Sequence, residues 1–141
     1  MVEFERAYLD ASVILRLTLG QNGAVRAKWR QAVSSELLST ELFRTLDRLR
    51  LAGLDDSQAI RFRSGLEDNL AQIAMIKLDS AVLRRAGGSF PTPLGALDAI
   101  HLATALMYFE SSGEELVMLT HDRQLAAASQ ACGLRVYPTP A

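Results

Sequence analysis

The stretch "RAYLDASVILRL", residues 6–17, decides how the rest of the chain is read. Ala7, Tyr8 and Leu9 form a short apolar run of strand character, and Val13, Ile14, Leu15 and Leu17 open an apolar helix. Asp10 stands between them. A carboxylate at the end of a buried strand carries a desolvation cost unless a turn, a helix cap or a ligand uses it.

Working outward, apolar runs alternate with helical patterns. Residues 12–19 and about 23–33 read as helical, broken by Gly20 and Gly23. "ELLS" (36–39) reads as a second strand, followed by the helix "TELFRTLDRLRLAG" (40–53), with Leu42, Leu46 and Leu49 at helical spacing and a stop at Gly53. Asp55, Asp56 or Ser57 can cap a further helix to about Asn69. "QIAMIKLD" (72–79) is a third strand, 80–86 a short helix, and "GGSFPTPLG" (87–95) a loop by its Gly and Pro content. "ALDAIHLATALMYFE" (96–110) is a nearly all-apolar helix. "LVMLT" (116–120), "DRQLAAASQAC" (122–132) and "LRVY" (134–137) read as strand, helix and strand, before the tail "PTPA". This alternation implies an α/β fold, a parallel sheet covered by helices on both faces. Ligands of such sheets sit at the carboxyl ends of the strands, where the winding reverses.

The bulk numbers agree and exclude little. The 141 residues suit one domain, 1–141, and 49% apolar with 22% charged residues is a globular composition. The single cysteine, Cys132, allows neither an internal disulfide nor a zinc spacing. A reducing, cytoplasmic setting is expected, with no secretory leader and no membrane span. A net charge of −1 does not point to nucleic acid, although a local basic patch would be enough to bind it.

Four acids fall at element junctions: Asp10 after strand one, Glu41 just past strand two in the first turn of its helix, Asp98 in the first turn of the apolar helix, and Asp122 after strand four. Each has an ordinary reading as a cap, a turn residue or a partner of the helix dipole. For Asp98, on a helix with few polar residues, that reading needs a partner, and His101 one turn on is the candidate. Converging acids repel: two like charges about 4 Å apart cost roughly 4 kcal/mol at an effective dielectric of 20. A divalent cation removes the difficulty, and carboxylate oxygens suit Mg²⁺ or Mn²⁺. Ser12 and Thr120, two residues from Asp10 and Asp122, are placed to turn their hydroxyls onto the same site, or to serve as a helix cap and a strand end.

In these residues the chain resembles the PIN-domain ribonucleases, and among them the VapC-type toxins of toxin–antitoxin pairs. The resemblance is carried by "YLDASVILRL" (8–17), "STELFRTL" (39–46), "LDAIHLATAL" (97–106) and "LTHDRQLAAAS" (119–129), in order across essentially the whole chain. It implies a five-stranded parallel sheet of order 3-2-1-4-5. It also implies an acidic quartet of Asp10, Glu41, Asp98 and Asp122 as catalytic and metal-binding residues, with Ser12 and Thr120 supporting them. Further implications are Mg²⁺ or Mn²⁺ as cofactor, RNA as substrate, a small VapB-like antitoxin as partner, and a homodimer. The helical stretches Ala24–Val33 and Leu42–Leu54 are candidate dimer surface, with a core reading equally open. For RNA, Arg16 and Arg123 flank the site, whereas Arg44 and Arg48, at i and i+4, read better as a solvated face.

Other functions remain to be weighed. A metal-independent ribonuclease would use His101 and His121 as acid and base. A phosphotransfer site would need a second acid where Ser12 stands. A PIN-type RNA-processing nuclease or a non-catalytic RNA- or partner-binding module would share the fold.

Overall fold

Strand β1 (Val2–Leu9) sorts its residues by alternation. Ala7 and Leu9 point into one apolar cluster with Val13, Ile14, Leu38, Leu42 and Leu66, while Tyr8 points into another with Val33, Leu102, Met118 and Leu125. A strand apolar on both faces is a central strand of a covered sheet. The computed structural model, which describes residues 1–20 and 23–138, has that sheet. In chain order the elements are β1, α1 (Ala11–Leu19), β2 (Ala27–Ser35), α2 (Leu37–Leu51), α3 (Asp56–Leu70), β3 (Ile73–Ile76) and α4 (Ser80–Ala86). They continue with α5 (Ala96–Ser112), β4 (Val117–Leu119), α6 (Arg123–Ala131) and β5 (Arg135–Tyr137). The strands lie in the order β3-β2-β1-β4-β5, all neighbours parallel, as the resemblance implied. Helices α1, α2 and α3 supply the apolar cluster on one face, and α5 and α6 that on the other.

The winding reverses at β1, between β2 and β4. Tyr8 pairs with Val33 on one side and Met118 on the other. The crevice at the carboxyl ends of β1 and β4 therefore lies beside Asp10 and Asp122.

The second strand departs from the sequence expectation. Residues 27–35 are strand, not helix, and "ELLS" (36–39) is not a strand: Leu37–Ser39 form the first turn of α2. Val25, Trp29 and Val33 are four apart, the spacing of one helix stripe, but the fold divides them: Val25 and Trp29 join the cluster beneath α1, α2 and α3, and Val33 the one beneath α5 and α6. Pairing with β1 and β3 along both edges decides for strand. Glu41 consequently sits in the second turn of α2, not the first. The expected dimer surface changes with it. Ala24–Val33 offers no helix face, Val33 is core, and Leu42 and Leu46 are buried. The tail "PTPA" lies, from Thr139 onward, outside the described residues.

Of the three cap candidates for α3, Asp55 is used: its Oδ1 accepts from Gln58 N at 2.8 Å and the Gln58 side chain returns the bond. The α1–α3 contact is close at Gly65, where an added Cβ would lie 2.9 Å from Thr18 Cγ2. Thr18 cannot swing away freely, because its Oγ1 accepts from Asn69 Nδ2 at 2.7 Å. Helix propensity alone makes Gly→Ala stabilising by about 1 kcal/mol. Here overpacking of about 1–3 kcal/mol should outweigh it. Gly65→Ala is expected to lower the thermal midpoint. Adding Thr18→Ser, which removes the methyl and keeps the hydroxyl, should restore it, and a single Gly65→Ala that raises the midpoint would contradict the packing argument.

Candidate functional site

Asp10 is the N-cap of α1, and its Oδ1 accepts from Val13 N at 3.3 Å. The ordinary cap reading is therefore correct, and it does not exhaust the residue. Ser12 Oγ donates to the same Oδ1 at 2.6 Å, and Thr120 Oγ1 donates to Oδ2 at 2.6 Å. Each hydroxyl also accepts a backbone N–H: Ser12 from His121 N at 2.9 Å, Thr120 from Asp122 N at 2.9 Å. Because each hydroxyl has one proton, those acceptances direct that proton at Asp10. The carboxylate is 4% exposed, and burial raises its pKa against the pull of these donors. The side chain is thus held in one orientation by β4, α1 and its own backbone turn.

Asp122 is the N-cap of α6, its Oδ1 accepting from Leu125 N at 2.9 Å. Asp98 lies in the first turn of α5. Among the described residues its carboxylate has no hydrogen-bond donor from the protein. Its pKa is pushed up to about 6, first by burial, then by the charges of Asp122 and Asp10; His101 opposes this and Glu41 adds to it. The four acids are therefore electrostatic neighbours, gathered from β1, α2, α5 and β4–α6. They do not form a finished cage: among the described residues no three Asp, Glu, His or Cys side chains enclose a metal position.

His101 is not the partner of Asp98. Its Nδ1 lies 2.7 Å from the Tyr8 hydroxyl, and its Nε2 bonds the Glu41 carboxylate. Sequence reasoning missed both contacts, since the partners are 93 and 60 residues away. The only local signal was the i, i+3 spacing of Asp98 and His101, which puts both on one face of α5. His121 is also committed: its Nε2 accepts from Val25 N at 3.1 Å, tying the segment before β2 to the end of β4. Burial and the nearby Arg16 lower its pKa. Both ring nitrogens of His101 are engaged and that residue is buried, which weakens an acid–base pair built on His101 and His121.

The remaining donor set fits a hard divalent cation. A carboxylate offers about four lone-pair sites. Asp122 commits Oδ1 and Glu41 commits Oε1 to the fold; their second oxygens and both oxygens of Asp98 have no protein donor among the described residues. Mg²⁺ keeps several waters and needs only one or two carboxylates. The basic residues frame this arrangement unevenly. Arg16 reaches toward Gly23 O at 3.4 Å, close enough to His121 to act on it, and Arg123 is exposed at the start of α6. Arg44 is paired with Asp47 at 3.1 Å, and Arg48 bonds Thr45. Both nevertheless line, with Ala11, Leu37, Glu41 and Leu97, a groove of about 340 Å³. A larger groove of about 400 Å³ between α2 and α3, lined by Phe43, Ile60 and Arg63 among others, contains none of the four acids.

Among the described residues no helix is long and apolar enough to cross a membrane. Comparison with known proteins agrees with the fold. Residues 7–130 match the PIN domain family. The chain is 35% identical over 135 residues to Ribonuclease VapC46 of Mycobacterium tuberculosis, covering 92% of this chain and 94% of that protein. It shares its fold with PAE2754 of Pyrobaculum aerophilum, with a TM-score of 0.60 at 21% identity over 94% of this chain and 83% of the other. The chain belongs to the PIN-domain family, in its branch of VapC-type ribonucleases.

Proposed function

We propose that this protein is a Mg²⁺- or Mn²⁺-dependent endoribonuclease and the toxin of a toxin–antitoxin pair, with the chain 1–141 acting as one PIN domain. The observation that carries the reading is Asp98: a partly buried carboxylate without a protein donor, raised to about 6 by burial and by the acids around it. A divalent cation beside such a group would offset its repulsion with the neighbouring acids.

In this reading Asp10, Asp98 and Asp122 hold the metal, and Glu41 acts through a water or from the far side. When bound, a divalent cation lowers the pKa of a coordinated water and neutralises charge on the scissile phosphate. The chain's own contribution is orientation. Ser12 and Thr120 prevent Asp10 from rotating, the α6 cap fixes Asp122, and Asp98 keeps both oxygens available. Arg16 and Arg123 flank the acids and draw in the RNA backbone, whose phosphates dominate affinity.

The test is cleavage of labelled RNA by purified protein with Mg²⁺ or Mn²⁺, with EDTA, and with Asp10→Asn. Metal-dependent cleavage that leaves 5′-phosphate ends and is lost in Asp10→Asn supports the reading. Cleavage that survives EDTA and the substitution overturns it. No cleavage, with Mn²⁺ bound, favours a binding module. Restoration of growth by a small adjacent VapB-like protein would establish the toxin role, and sedimentation would establish self-association.

The cationic part makes its own prediction. Arg16→Ala and Arg123→Ala should each weaken RNA binding across sequences and reduce the slope of log affinity against log salt by about 1. An unchanged slope in both would remove these residues from the RNA path.

A further inference from the structure

Tyr8, His101 and Glu41 form a hydrogen-bonded chain from the core to the site. Tyr8 is 0% exposed, His101 1%, and the Glu41 side chain 17%. The Tyr8 hydroxyl lies 2.7 Å from His101 Nδ1, the two rings meet edge to face, and His101 Nε2 bonds Glu41 Oε1. The three residues come from β1, α5 and α2, the elements that deliver Asp10, Asp98 and Glu41. Burying a tyrosine hydroxyl and an imidazole to hold one carboxylate is an expensive arrangement for stability alone, since apolar residues of the same shape would pack as well.

The direction of the chain depends on the tautomer of His101. The Tyr8 hydroxyl carries its proton at neutral pH, as a tyrosine ordinarily does. A phenol that donates to Nδ1 leaves the ring's one proton on Nε2, where it points at Glu41. Glu41 has three rotatable side-chain bonds, and the bond between Nε2 and Oε1 selects among their arrangements and leaves Oε2 without a protein donor among the described residues. Asp98 and His101 share a face of α5 three residues apart, so the same helix register that aims Asp98 also sets where Glu41 can sit.

We propose that His101, held as its Nε2–H tautomer by the buried Tyr8 hydroxyl, is a positioning residue that fixes the Glu41 carboxylate relative to Asp98. The role rests on the metal-nuclease reading above. It is a role for orientation rather than proton transfer, and it gives Tyr8 and His101 a function at the site although neither faces substrate.

The test combines three variants with two readouts besides cleavage. Long-range proton–nitrogen correlation of the imidazole should report the Nε2–H tautomer in the wild type and a mixture in Tyr8→Phe. His101→Leu should lower kcat by about 100-fold and weaken Mn²⁺ binding by about tenfold, with KM for RNA nearly unchanged. His101→Gln, whose amide can present an N–H near the Nε2 position, should recover most of both. Circular dichroism and thermal midpoints establish that each variant is folded, and Tyr8→Phe, the least disruptive, stands in if His101→Leu is not.

An Nδ1–H tautomer in the wild type would overturn the proposal. So would a folded His101→Leu with wild-type kcat and Mn²⁺ affinity, or a folded His101→Gln as impaired as His101→Leu. A wild type that neither cleaves RNA nor binds Mn²⁺ would instead bring down the nuclease reading, and the positioning role with it.

Discussion

Asp98→Asn should cut cleavage steeply and stabilise the metal-free protein at once. The folded-state pKa of Asp98, about 6, lies above its ordinary value of 3.8. Between those values the folded state binds more protons than the unfolded state, so the stability of the metal-free wild type falls as pH rises through that window. Asp10, also raised, acts in the same direction. The full Asp98 difference would correspond to about 3 kcal/mol. The side chain is partly solvated, so about 1 kcal/mol is the sensible expectation.

Asp98→Asn removes the charge and should therefore raise the thermal midpoint at pH 7.5 by about 3 °C while flattening its dependence between pH 4 and 6. Mg²⁺ or Mn²⁺ should raise the wild-type midpoint more at pH 7.5 than at pH 5, and should do so far less in the variant. Cleavage should fall by about a thousandfold, the scale for removing one group essential to charge stabilisation in the transition state. Melting curves against pH, with and without metal, check the first part. An Asp98→Asn protein less stable than wild type at pH 7.5 would mean that Asp98 has a structural partner after all.

The second large effect is expected at Thr120. Thr120→Val keeps the shape but removes two bonds at once, the donor to Asp10 Oδ2 and the acceptor for Asp122 N. One is a hydrogen bond to a buried charge and the other leaves a backbone N–H without its partner. Together they are worth about 3 kcal/mol. For a domain of this size that is a fall of about 10 °C in the thermal midpoint. Freed from one side, Asp10 should also lose its fixed orientation, with a drop in kcat of about 10- to 100-fold. Thr120→Ser, which keeps the hydroxyl, should restore most of both. Calorimetry and steady-state kinetics on the pair of variants separate the hydroxyl from the methyl. Equal losses in Val and Ser would assign the effect to packing.

The two predictions differ in sign for stability because the two residues stand in opposite relations to the fold. Thr120 satisfies buried groups that already exist. Asp98 adds a charge that has no hydrogen-bond donor among the described residues of the metal-free protein. An arrangement in which one acid is fully held and another is left open is the pattern expected where function, rather than stability, chose the residue.

By itself the sequence determined the positions of three of the four acids in the fold. Asp10, Asp98 and Asp122 stand beside apolar runs whose periods are local properties, and caps and first turns are written within four residues. The parallel sheet followed from the same alternation. The tertiary structure decided what local period could not. The spacing of Val25, Trp29 and Val33 suits a helix, and only the partners on both edges made residues 27–35 the strand β2, which in turn moved Glu41 into the second turn of α2. The partner of His101 was undecidable for the same reason. Its nearest acid in the chain is Asp98, but the carboxylate it meets comes from α2 and the hydroxyl from β1, brought within hydrogen-bond distance by the packing of α5 on the sheet.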